Sequence, residues 1–208
     1  MYVPEAYEMK DWETVREFIE QNSFGLLISN HSKLTGTHLP FLLVKEEEEL
    51  YLYSHMARAN PQWEQASGEV LVVFSGAQSY ITPSWYPENK VPTWNYLAAH
   101  LYGDFELITG EQETLNVLAT TVQRYESDFA EPWSLNEASE EYVNRLVKHV
   151  VAFKIRLTNW EATWKLHQDY APEIQRGVIN GLQSRGDDNA KKIAEIMKKN
   201  LSSVKAPS

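Results

Sequence analysis

No cysteine occurs anywhere in the 208-residue chain. That excludes a disulfide scaffold, a thiolate zinc site and a cysteine nucleophile. Long apolar runs are missing as well, and none approaches the roughly 20 residues needed to span a bilayer as a helix. The opening, MYVPEAYEMKDW, lacks the charged-then-apolar order of a signal peptide. Positive charge is scarce: 19 Lys and Arg stand against 29 Asp and Glu, a net charge of −10. A large basic surface for nucleic acid is not expected, although one local patch is compatible with that total. The six histidines are scattered, with no HExxH or other paired-ligand spacing, so no metal site is expected. A G-x-S-x-G elbow, a Walker loop and a G-x-G-x-x-G turn are all absent. What remains is a soluble cytoplasmic protein without a membrane partner, built as one globular domain or as one domain with an appendage.

Aromatic residues are plentiful, at 12% with seven tryptophans. They concentrate in SYITPSWYPENKVPTWNY (79–96), which sets Trp85, Trp94, Tyr80, Tyr86 and Tyr96 among Pro83, Pro87 and Pro92. Proline forbids a helix interior and a central strand, so these rings belong to loops or strand ends. Such a segment needs cover from a partner subunit, a flat ligand, or both.

Periodicity gives the outline. DWETVREFIEQN (11–22) reads as a helix with Asp11 as N-cap and Trp12, Val15, Phe18 and Ile19 on one face. Short apolar runs follow at 24–29, 37–44, 50–54, 69–76 and 79–82, with HSKLTG and KEEEE as hairpin turns. NYLAAHLYGDFELI is a longer strand in which Gly103 predicts a bulge or bend. Residues 111–129 read as a helix with Leu115, Leu118, Val122 and Tyr125 at helical spacing, and 137–148 as another. The chain returns to strand at VVAFKIRLTNWEATWKL and ends in helices after Pro172 and over 187–201. This pattern predicts a mainly β fold with peripheral helices, an antiparallel barrel or sandwich.

Four constellations can carry chemistry, each with a plainer alternative. In SHMARANPQW (54–63) a strand ends near Ser54 and a short helix begins at Asn60-Pro61. A hydroxyl, an arginine and free N–H groups at such a corner suit a phosphate monoester. On residue type alone an ordinary turn is the commoner outcome. His38, in THLP, either lines a pocket or is a core histidine. Trp85, Trp94 and Tyr96 either stack on a flat ring or form a dimer seam. Lys165 and Gln168 either hydrogen-bond a ligand carbonyl or phosphate, or are solvated. The terminal helix adds Lys191, Lys192, Lys198 and Lys199, with Lys205 beyond, as a solvated face or a DNA-phosphate contact.

Several of these phrases together resemble one family. THLPFLL, SHMARANPQW, SYITPSWY, VPTWNY with His100, Pro132-Trp133, WKLHQ and RGVINGL are similar, in order and wording, to the PaiB-type proteins. These are negative regulators of protease synthesis and sporulation, grouped as FMN-binding transcriptional regulators. The likeness runs from Tyr2 to about Leu182; the family's more usual wording is closer to SxNR where this chain has HQD at 167–169. The resemblance implies an FMN-binding split barrel, six-stranded, antiparallel and homodimeric, with the flavin in a cleft between subunits. It implies a domain over 1–182 with inserted helices at about 111–148, and a helical extension over 183–208. It places Ser54, His55, Arg58, Asn60 and Gln62 at the phosphate corner and Thr37 and His38 near the ring. Trp94 and Tyr96 then come across the interface, and Lys165 joins the cofactor-binding set. No catalytic residue is assigned. The function implied first is negative transcriptional regulation of extracellular protease and sporulation genes, with DNA contact direct or through a protein partner. An FMN-dependent oxidoreductase acting on a small molecule is the alternative, and a haem-binding role for His38 or His100 comes third.

Overall fold

The computed structural model describes residues 1–31, 33–86 and 91–203. Pro87 of the aromatic segment and Lys205 lie outside the described residues. Seven strands form one sheet: β1 (Phe24–Asn30), β2 (Leu34–Pro40), β3 (Leu42–Glu46), β4 (Glu49–Ala57), β5 (Glu69–Ile81), β6 (Thr93–Ile108) and β7 (Val150–Lys165). Their order is β2-β1-β5-β6-β7-β4-β3. The pairs β1–β2, β1–β5, β3–β4 and β4–β7 are antiparallel. Among the described residues six α-helices accompany them: α1 (Trp12–Gln21), α2 (Gln62–Gln65), α3 (Glu111–Glu126), α4 (Glu140–Val147), α5 (Pro172–Arg185) and α6 (Asp188–Ser203). Among the described residues no helix is long and apolar enough to cross a membrane.

The mainly β, antiparallel architecture agrees with the sequence reading. The expected six strands do not, because the sheet has seven, in the open order given above. The run 37–44, expected as one strand, is two. Pro40 has no N–H to continue the ladder, and the next N–H, of Phe41, turns to the Ser23 carbonyl at 2.8 Å. Phe41 is buried against Phe74 (5.7 Å) and Phe153 (6.4 Å), so the break puts a large ring in the core. Conversely, the runs 69–76 and 79–82 merge into β5. Gly103 makes no break in β6: a Cβ there would meet the Arg156 carbonyl, so glycine permits the close approach of β7.

The chain divides into two compact units. One comprises Met1–Phe18, Ser75–Ala99 and Glu161–Ser208; the other comprises Ile19–Phe74 and His100–Trp160. In the first, Phe18 meets Trp164 edge-on at 4.9 Å. There the buried faces of α5 (Ile174, Val178, Leu182) and α6 (Ile193, Met197) supply apolar core. Asp11 caps α1 as expected, its carboxylate accepting from the Thr14 N–H at 2.9 Å. In the second unit, Phe41, Phe74, Phe105 and Phe153 form the centre of the core. Helix α3 presents a different face from the one its leucines predict. Thr114, Val117 and Thr121 are buried, while Leu115, Leu118 and Val122 are half-buried and Tyr125 is exposed. The buried threonines are tolerated because their hydroxyls donate to the Gly110 and Val117 carbonyls at 2.9 and 2.7 Å.

Candidate functional site

Three of the sequence-nominated residues meet in one network. Gln62 has no exposed surface, and its amide N donates to the Ser29 hydroxyl (3.0 Å) and to the Thr35 carbonyl (3.3 Å). Thr37 donates to the Gln62 amide oxygen, Asn60 donates to the Thr37 hydroxyl (3.1 Å), and the Gln62 N–H donates to the Asn60 side chain (3.0 Å). These groups satisfy one another and fasten the α2 corner to β1 and β2. Ser54 is also spoken for: it is buried, and its hydroxyl donates to the Pro40 carbonyl at 2.6 Å. The strand runs past it to Ala57, so it sits within β4 rather than at its end. His38 is exposed on β2 and stacks on Phe24 with ring centroids 6.0 Å apart.

Arg58 and His55 are placed differently. Arg58 donates through Nε to the Lys148 carbonyl (2.8 Å) and through Nη2 to the Val150 carbonyl (2.9 Å), and its guanidinium lies over the Trp63 ring. It therefore closes the C-terminal end of α4 and lines a cavity of about 370 Å³. Lys148 lines the same cavity, so this end carries two cations, opposed by Glu111 at the start of α3. Burial pushes the His55 imidazole below its ordinary value. Its Nδ1 is buried without a hydrogen-bond partner among the described residues.

A larger cavity, about 530 Å³, adjoins the first; Leu107, Ile108 and Thr109 line both. Its apolar wall comes from Leu42, Val44 and Val117, and its polar wall from Glu46, Tyr53, Lys154, Glu113, Asn116 and Thr120. Alternation along the strands puts these polar groups together. Leu42, Val44 and Glu46 point the same way on β3, and Tyr53 pairs in register with Lys154 across β4 and β7. Lys154 donates to Glu46 at 3.0 Å and lies 4.1 Å from the Tyr51 ring centre. The Tyr53 hydroxyl donates to the other Glu46 oxygen. That hydrogen bond, with help from Lys154, holds the Glu46 carboxyl below its usual range. Burial and Glu46 push the Tyr53 phenol up to about 12. Tyr53 on β4 lines the larger cavity and Arg58, just past the end of that strand, lines the smaller, about 16 Å further along at the strand rise; His55, between them, lines neither. Of these lining residues the sequence reading named Arg58 but missed Glu46, Tyr53 and Lys154. Alternation was the available signal, since FKIRL sets Lys154 and Arg156 on one face.

Trp94, Tyr96 and Lys165 belong to the other unit. Trp94 is 51% exposed and meets the exposed Tyr80 edge-on at 5.9 Å, while Tyr96 is half-buried on the same side of β6. Lys165 donates to the Thr93 hydroxyl at 2.7 Å. Trp85 is covered by its own chain. Gly177 and Gly181, one turn apart on α5, leave a notch for its backbone and indole, and a Cβ at either position would collide with them. Beside it lies a closed relay that the sequence reading did not foresee. His167, 1% exposed, is bonded through Nδ1 to the Asn95 side-chain oxygen (2.7 Å) and through Nε2 to the Tyr86 hydroxyl (2.6 Å). Asn95 in turn donates to the Met197 sulfur. Burial pulls the His167 imidazole down to about 4. Neutral His167 thus donates from Nδ1 and accepts the Tyr86 proton at Nε2.

Comparison with known proteins agrees with this architecture. Residues 1–159 match the family described as "Putative FMN-binding domain". The chain is 34% identical over 204 residues to the protease synthase and sporulation protein PAI 2 of Bacillus subtilis, covering 97% of this chain and 98% of that protein. It is 27% identical to the uncharacterized protein AN0679 of Emericella nidulans, covering 95% and 96%. Among solved structures, the FAD and heme binding protein from Mycobacterium smegmatis superposes with a TM-score of 0.56 at 13% identity, covering 76% of this chain and 73% of that one. The conserved hypothetical protein Rv2991 from Mycobacterium tuberculosis does so with 0.57 at 12% identity, covering 83% and 94%. The two structural likenesses concern the fold, and the match to the family and to PAI 2 decides kinship: the chain belongs to the PaiB-type family of FMN-binding-domain proteins.

Proposed function

We propose that this protein is a flavin-binding regulator of protease production and sporulation, which holds FMN in the cleft that runs along β4. The observation that carries the flavin assignment is the polarity of that cleft. Arg58 and Lys148 line one end, a group of hydrogen-bonding side chains lines the other, and the Leu107–Thr109 wall is shared. A phosphate dianion suits the cationic end. Two Arg58 N–H groups are committed to carbonyls, and its Nη1 has no hydrogen-bond partner among the described residues. The combined space lies within the range of cofactor pockets, and a tricyclic ring with a phosphorylated side chain matches the run from Tyr53 to Arg58. Bound FMN supplies the capacity for one- and two-electron transfer. The protein's share is to anchor the phosphate, flank the ring and exclude water.

Titration with FMN and with riboflavin tests this. FMN is expected to bind more tightly, and Arg58→Ala to weaken FMN while leaving riboflavin unchanged. Equal loss of both, or none, would remove Arg58 from the phosphate end.

The same reading includes a homodimer. Exposed Trp94 with Tyr80 supports it, because a large indole edge-on to a second ring resembles interface chemistry. Trp94→Ala is expected to weaken dimerisation, read as a fall in oligomeric mass on dilution. Regulation by direct DNA contact draws on α6, whose exposed face carries Lys191, Lys192, Lys198 and Lys199. A promoter-DNA shift that weakens steeply with salt supports it, and no binding above nonspecific levels at moderate salt excludes direct contact. An FMN-dependent oxidoreductase is the second reading, favoured by the Glu46–Tyr53–Lys154 group at the ring end. Turnover of reduced nicotinamide with bound FMN would distinguish it.

A further inference from the structure

We propose that Lys154 is the residue that reads the polar edge of the flavin ring and sets its reduction potential, with Glu46 and Tyr53 as its positioning residues. This rests on the cleft assignment above and adds to it the orientation of the ring. Three observations support it. Lys154 lines the larger cavity, the one without Arg58 and Lys148, so a flavin anchored by its phosphate presents its ring there. The ammonium is held rather than free: Glu46 accepts from it at 3.0 Å, and the Tyr51 ring lies 4.1 Å from it. Tyr53 in turn occupies the second Glu46 oxygen, which fixes the carboxylate.

The chemistry of the ring then selects the edge. The dimethylbenzene side of a flavin is apolar and suits Leu42, Val44 and Val117. Its pyrimidine side carries carbonyl oxygens and ring nitrogens that need donors, plus one N–H that needs an acceptor. An ammonium beside a carboxylate offers both. A cation at that edge also stabilises the negative charge that develops there when the ring takes up two electrons. Glu46 tempers that effect by sharing the cation. Removing the cation and removing its counterion should therefore move the potential in opposite directions, which a merely structural role would not do.

The test uses the full chain and four variants: Lys154→Met, Lys154→Arg, Glu46→Gln and, as a control, Lys45→Met. Lys45 lies on β3 between the cleft-facing Val44 and Glu46 and does not line the cavity. Affinities for FMN and riboflavin and the midpoint potential of bound FMN are measured for each. Lys154→Met is expected to weaken both flavins alike, roughly tenfold for a lost charge-assisted hydrogen bond, and to lower the potential. Glu46→Gln is expected to raise the potential, Lys154→Arg to restore most of it, and Lys45→Met to change neither quantity. Lys154→Met with unchanged potential overturns the proposal, as does a shift of the same sign in Glu46→Gln. If wild type binds FMN but only Arg58→Ala affects it, the cleft reading stands and the Lys154 assignment falls. Wild type that takes up neither flavin overturns both.

Discussion

The molecule contains two polar clusters built from similar materials and put to different ends. In one unit, Asn95, His167 and Tyr86 form a closed relay in which each donor of the chain finds its acceptor and His167 is almost wholly buried. In the other, Glu46, Tyr53 and Lys154 are equally well connected to one another, but they face a cavity of about 530 Å³ and keep solvent contact. A polar network that is satisfied and dry specifies structure; one that is satisfied yet opens onto space retains bonding capacity for a ligand. The difference is set by what packs over each. Met197 of α6 closes the first, while α3 stands over the second with Val117, Asn116 and Thr120 as its wall.

Acid should act on the closed relay most strongly. His167 is neutral in the fold with a value near 4, against an ordinary 6.5, because burial outweighs the opposing pull of Asp169 and is reinforced by Lys165. Below pH 6.5 the unfolded chain takes up a proton that the folded chain refuses. This residue's share of stability is therefore intact above pH 6.5 and declines as pH falls toward 4, by about 3 kcal/mol in all. His167→Gln should flatten the dependence of unfolding free energy on pH across that window, and an unchanged slope would contradict the buried neutral assignment. Next comes Gly181→Leu, where the new side chain has to displace the Trp85 indole, at about 2–3 kcal/mol by chemical denaturation. Asn95→Ala should cost about 2 kcal/mol by stranding the Nδ1 proton of His167. The open cluster should respond least: Glu46→Gln breaks a partly exposed ion pair and is expected to change stability by under about 1 kcal/mol. A large loss there would mean that the open cluster is structural after all.

How far the residues alone could take the reading varies along the chain. Helix α1, β1, β6, β7 and α6 were legible because each carries an unbroken period and, for α1 and α6, an acidic start. The 37–44 run was not, because Pro40 interrupts a pattern whose apolar residues continue across it. The α3 leucines misled because threonine, when its hydroxyl returns to the helix carbonyls, buries as readily as a small apolar residue. At the site, Arg58 was legible as a cation at a strand end. Ser54, Thr37, Asn60 and Gln62 were nominated through the family resemblance, and their partners (Pro40, Ser29 and one another) come from positions that only the fold assembles. The Glu46–Lys154 pair joins residues 108 apart in sequence, beyond any local pattern. The aromatic segment was read as rings that need an external cover, and for Trp85 the cover is two glycines from RGVINGL.

That glycine notch bears on where the chain can be cut. The family match ends at residue 159, and a domain boundary there would look natural. Yet Trp85 and Asn95, both inside the matched region, are completed by Gly177, Gly181, His167 and Met197, all outside it. A chain shortened to the matched residues would bare the indole, strand the Asn95 amide and remove the apolar faces of α5 and α6 together. The residues matched by the FMN-binding-domain model are thus not a part that can be expected to fold by themselves. Expression trials, homologue searches and domain swaps should carry the chain through α6.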